Sequence, residues 1–167
     1  GLAISREIQQ VLRPDLKLLI MSATLDSKDL SKNLQAPMVE SMGKAFPVSI
    51  KYGEGTDLFT LPESISLTIK KAIADHDGDL LVFLPGQREI NKTAEILSLR
   101  FPQLAIYKLY GQLAFSQQRA ALSPHPEGKR KVVLATAIAE TSLTIEGIKI
   151  VVDGGFMRTS RFNPSTG

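Results

Sequence analysis

From Leu61 to Val152, short apolar runs alternate with segments whose apolar residues recur at helical spacing. This alternation constrains the fold more than any other feature. Leu61, Ile65, Ile69, Ala72 and Ile73 share one helical face, with Pro62 in the first turn, where its missing N–H leaves no hydrogen bond unmade. Gly78 ends that helix. Residues 80–84 read as a buried strand, and 87–99 as a helix with Ile90, Ala94 and Leu97 inward. Residues 104–109 read as a strand, 116–122 as a short helix, and 131–135 and 148–152 as two further strands. Strands alternating with helices predict an α/β domain with a mainly parallel sheet and flanking helices.

The first third is less regular. Ile4, Ile8, Val11 and Leu12 predict a helix ended by Pro14 and Asp15. Residues 16–21 form an apolar run broken only by Lys17, as expected of a strand buried on both faces. Asp26 or Ser27 is placed to cap a helix reaching Leu34. Pro37, Gly43, Pro47, Gly53 and Gly55 leave room only for short strands near 38–41 and 48–52. A junction is expected near Gly53–Asp57, dividing residues 1–55 from 56–167. If the strand at 16–21 lacks its sheet, its exposed edge invites self-association.

Composition narrows the function classes. There is no cysteine and there are two histidines, which excludes a disulfide framework and a cysteine-ligated metal and leaves little for a histidine site. No apolar run approaches the length of a membrane span, and a cytoplasmic location is expected. The net charge of +3 is too mild to indicate a polyanionic partner by itself.

In open α/β sheets ligands sit at the carboxyl ends of the strands, so the informative loops are those beginning at Ser22, Pro85, Tyr110 and Thr136. The last is the richest. Residues 136–147 hold four hydroxyl side chains and two carboxylates in twelve positions, mixed with small apolar residues. Short hydroxyls beside backbone N–H groups suit phosphate oxygens, and carboxylates suit ribose hydroxyls. The same residues serve equally as a turn that caps the next helix.

The segment from Ala135 to Gly147, continuing through Val151-Val152-Asp153-Gly154-Gly155-Phe156, resembles motif V of DEAH-box (superfamily 2) RNA helicases and the stretch of chain just past that motif. Met21-Ser22-Ala23-Thr24-Leu25-Asp26 resembles their motif III, and residues 81–90, Leu-Val-Phe-Leu-Pro-Gly-Gln-Arg-Glu-Ile, their motif IV. Tyr110-Gly111-Gln112-Leu113 and Gln117-Gln118-Arg119 fit the intervening segment. The matches run in family order across nearly the whole chain, and their details are most similar to the bacterial HrpB-type branch.

The resemblance implies a RecA-like fold of the P-loop NTPase type: residues 1–55 as the end of a first motor lobe with its linker, and 56–167 as most of a second. Ser22, Ala23 and Thr24 would couple the lobes. Gly86, Gln87 and Thr136 would hold the RNA backbone, and Thr144 and Glu146 would face the nucleotide. Arg158 and Arg161, on a β-hairpin expected to begin at Phe156, would add RNA contacts. The implied partner is single-stranded RNA, held by its backbone, and the implied cofactors are ATP and Mg²⁺. The chain contains no glycine-rich P-loop with its lysine, and no Asp-Glu-x-His sequence. Motif VI is expected beyond Gly167. No catalytic set is complete, so the isolated chain is expected to be inactive.

Two positions depart from the family pattern. Ala137 replaces the usual asparagine, and Leu122 stands near the place of a base-stacking aromatic. Structural roles are also open. Glu140 suits a helix start, Lys129–Lys131 a solvated loop, and Tyr107, Tyr110 and Phe115 core packing. His76 suits a helix end, and His125 a rigid loop without a partner. Two rival functions remain: a nucleotide-independent RNA-binding or regulatory module, and a small-molecule α/β enzyme, for which no catalytic pair is found.

Overall fold

The computed structural model describes residues 1–21, 27–40, 46–137 and 145–158, without the side chains of Ser27 and Lys28. The chain divides into two compact units, Gly1–Ile50 and Lys51–Gly167.

The first unit holds α1 (Leu2–Val11) and α2 (Ser27–Leu34). The helices fall where the periodicity placed them; the cap expected from Asp26 lies outside the described residues. The strand expected at 16–21 is absent: the run is irregular, with Leu19 and Met21 more than four-fifths exposed. A strand exists only through pairing with a neighbour, and no described residue of this unit supplies one. Residues 38–40 and 48–50 are likewise irregular, and so are Lys51 and Tyr52 at the start of the second unit.

The second unit builds α3 (Leu61–Asp75), β1 (Asp79–Phe83), α4 (Gln87–Arg100), β2 (Ala105–Leu109), α5 (Phe115–Leu122), β3 (Lys131–Ala135) and β4 (Ile148–Asp153). The four strands form one parallel sheet in the order β2-β3-β1-β4. Alternation along the strands sorts their side chains. Leu80, Val82, Val132, Leu134 and Val152 pack with Leu61, Ile65 and Ile69 of α3 and Ile90, Ala94 and Leu97 of α4. On the other face Val133 and Ala135 pack with Ala121 of α5 and with Ile145. At about 25 cal/mol per Å² of buried apolar surface, these two layers supply most of the drive to fold.

Arg130 and Lys131 are structural rather than a solvated pair. Arg130 donates to the carbonyls of Ile73, His76 and Gly78, at 3.1, 2.6 and 2.6 Å, and so closes the end of α3. Lys131 is wholly buried and donates to the carbonyls of Ala121 and Ser123 at the end of α5. His125 also has partners: Nδ1 accepts from the Glu127 amide, and the ring meets Tyr107 edge-on. Phe115, expected in the core, is 79% exposed because it opens α5 on the side away from the sheet contact at Ala121.

Candidate nucleic-acid interface

Strands β1 and β3 lie side by side, but their chains leave in different directions. After β1 the chain enters α4 on one face and goes to β2; after β3 it passes β1 to reach β4, with Ile145 on the other face. Adjacent strands that diverge in this way open a crevice at their carboxyl ends. Leu84 N donates to Ala135 O at 2.8 Å, and Thr136 N to Leu109 O at 3.2 Å, which fixes both loops to the sheet edge.

Four of the expected residues meet there. Gly86 is the extended N-cap of α4 and offers no capping side chain, so among the described residues no side chain caps the first amides of the helix, which point where an anion can meet them. Gln87 is next in the chain, its Nε2 donating to the Tyr110 hydroxyl at 3.1 Å. The Thr136 Oγ1 is enclosed and has no partner among the described residues. Arg158 comes from beyond β4 and donates to both oxygens of Glu89, at 3.0 and 3.3 Å. A Cβ on Gly86 would lie 3.1 Å from the Arg158 Nε, so glycine lets the guanidinium pack against the backbone. The Arg158 side chain remains 64% exposed, leaving donors for a ligand.

Glu146 lies elsewhere. It precedes Gly147, whose carbonyl accepts from the Asp79 amide at the amino end of β1. The Asp79 carboxylate in turn accepts from the Lys131 amide at 2.7 Å. Glu146 is therefore exposed at the amino-terminal edge, opposite Gly86, Gln87, Thr136 and Arg158. Burial pushes the Lys131 ammonium below the ordinary lysine value, opposed by the charges of Asp79 and Glu146. Ser22, Ala23, Thr24, Glu140, Thr144, Arg161 and the rest of the expected hairpin lie outside the described residues.

Sequence alone does not reveal Glu89 as the residue that positions Arg158. A carboxylate in a first helical turn is too common to single out, and its burial to 7% depends on the tertiary fold. Among the described residues no acidic or histidine cluster could hold a metal, and no helix is long and apolar enough to cross a membrane.

The model of the helicase conserved C-terminal domain matches residues 64–166. The ATP-dependent RNA helicase HrpB of Escherichia coli is 46% identical over all of this chain, which spans 21% of that protein. The pre-mRNA-splicing factor ATP-dependent RNA helicase prp22 of Schizosaccharomyces pombe is 41% identical over 93% of this chain and 14% of its own length. A crystal structure of the E. coli DEAH/RHA helicase HrpB superposes with a TM-score of 0.83 at 45% identity, covering 99% of this chain and 22% of that one. The four-stranded parallel sheet with its flanking helices matches the RecA-like C-terminal lobe of that structure. With its order of strands, its carboxyl-edge crevice and this match, the chain belongs to the helicase conserved C-terminal domain family.

Proposed function

We propose that this chain works within an ATP-driven RNA helicase, with residues 56–167 as most of the second motor lobe and 1–55 as the end of the first with its linker. One observation carries the reading: the Gly86–Gln87 turn and Arg158 converge on one edge of the sheet, above the enclosed Thr136 hydroxyl, while Glu146 lies at the other. Thr136 and Glu146 thus stand at opposite ends of the sheet. Single-stranded RNA lies along the carboxyl edge, its backbone held by the α4 amides, Gln87 and Arg158. Such backbone contacts give little base specificity. The nucleotide is ATP with Mg²⁺, faced by Thr144 and Glu146, and Ser22, Ala23 and Thr24 couple the lobes. Arg161 extends the RNA contacts along the hairpin. A cytoplasmic location accords with this role.

Phosphoryl transfer needs positioned phosphates, a metal and an arginine. With no P-loop or Asp-Glu-x-His sequence in the chain, catalysis depends on segments outside it. The test compares RNA-stimulated ATP hydrolysis by the longer protein with that of this chain alone. Hydrolysis by the first and none by the second is expected. Phosphate release by this chain, abolished by Thr144→Ala, would overturn the assignment of roles, and indifference of the longer protein to RNA would overturn the motor reading.

A further inference from the structure

Beside the Gly86–Gln87 turn lies an open pocket of about 240 Å³, between the start of α3 and the first turns of α4. Phe59 and Pro62 form its apolar wall, and Arg88, Lys92 and Arg158 bring three cations to it. Its one carboxylate, Glu89, is already held by Arg158, so the lining is cationic on balance. Phe59 is 79% exposed, yet it is not on a loose segment. The Asp57 carboxylate accepts from the Phe59 amide at 2.9 Å, and from the Thr60 amide and hydroxyl at 2.7 and 2.8 Å. The turn therefore holds the backbone that carries the ring.

We propose that this pocket binds one nucleotide of the RNA strand, the base stacked on Phe59 and its flanking phosphates held by Arg88 and Lys92. The Lys92 ammonium lies over one face of the Phe59 ring, 5.1 Å from its centroid, so a base stacks on the opposite face while the cation meets an anion beside it. Arg88 and Lys92 stand one turn apart on α4, a like-charged pair that is mildly unfavourable until an anion bridges it. Arg158 packs on Gly86 and also lines the pocket, which makes the site continuous with the carboxyl-edge path. The volume is below the roughly 300–1,000 Å³ of drug-sized sites and suits a single base. A nucleotide is favoured over an acidic peptide because the aromatic face and the cations occur together, as on single-strand binding surfaces.

This inference rests on the RNA reading above and is tested separately from it. Anisotropy measures binding of the full chain to an oligoribonucleotide and to the same strand made abasic. Variants Phe59→Leu and Phe59→Trp are compared, with melting temperature as a check on folding. The intact strand should bind the unmodified chain on the order of tenfold more tightly than the abasic strand. Phe59→Leu should abolish that difference and Phe59→Trp should preserve it. Equal binding of both strands by the unmodified chain would overturn the base site and leave the RNA reading standing. Binding of neither strand would overturn both. Loss of the bound strand to a glutamate-rich peptide with Phe59→Leu unaltered would assign the pocket to a protein partner instead.

Discussion

Arg130 and Lys131 are neighbours in the chain but close helices on opposite faces of the sheet, Arg130 at the end of α3 and Lys131 at the end of α5. At the edge of a strand, successive side chains point to opposite sides, so two adjacent cations reach two helix ends. Cations there meet the unpaired carbonyls and the negative end of each helix dipole.

Replacing either should therefore destabilise the fold without touching the ligand edge. Arg130→Met and Lys131→Met are each expected to cost about 2 kcal/mol, since each leaves carbonyls short of a donor. The two share no partner, so the double variant should cost nearly the sum. Urea unfolding of the four proteins checks this; a strongly sub-additive double variant would show that the two caps form one unit.

Glycine substitutions should separate a yielding contact from a fixed one. At Gly154 a Cβ would stand 2.9 Å from the backbone oxygen of Phe83, which is anchored in β1. At Gly86 the nearest atom is the Arg158 Nε at 3.1 Å, near the end of a flexible side chain. Gly154→Ala is expected to cost about 1–3 kcal/mol through overpacking. Gly86→Ala should cost clearly less, with Arg158 moving aside. Melting curves distinguish the two.

The β-α alternation of the second unit was legible because its apolar spacing is set by packing on one sheet. Ile90, Ala94 and Leu97 all turn inward as their spacing predicts. Residues 16–21 misled the reading, since an apolar run carries no information about whether a partner strand is present. Phe115 did so because hydrophobicity alone does not say which side of a short helix meets the sheet. The site was half legible. Gly86, Gln87, Thr136 and Arg158 were named from the sequence and lie at one edge, but the bond from Arg158 to Glu89 joins residues 69 apart. No local pattern encodes that pairing. Phe59 escaped notice because its importance lies in the rigid turn that holds it out, which only the Asp57 hydrogen bonds reveal.

That turn should respond to acid. The Thr60 amide and hydroxyl, with the Phe59 amide, hold the Asp57 carboxyl below its ordinary value of 3.8. A carboxylate with a lowered folded-state value contributes stability above the unfolded value and loses it as pH falls through the folded one. Unmodified chain should thus be more stable than Asp57→Ala at neutral pH, with the gap closing below about pH 3.8. Thermal melts of both proteins from pH 7 to pH 2.5 test the sign. A gap that widens in acid would mean that the protonated form is the one the turn prefers.

Folding and binding pull differently on the pair of Arg158 and Glu89. Glu89 is 7% exposed, whereas the Arg158 side chain is 64% exposed, so the attraction is partly screened. A double-mutant cycle of Glu89→Gln and Arg158→Met should give a coupling of about 1 kcal/mol in stability. RNA affinity should show another pattern. Arg158→Met removes a phosphate contact and should lower the slope of log K against log salt by about one. Glu89→Gln keeps the guanidinium but loosens its hold, so the salt slope should stay while affinity falls modestly. Titrations at three salt concentrations separate these outcomes. If Arg158→Met leaves the slope unchanged, the arginine serves only to fasten the segment after β4 to α4, and the phosphate-binding role passes to the α4 amides and Arg88.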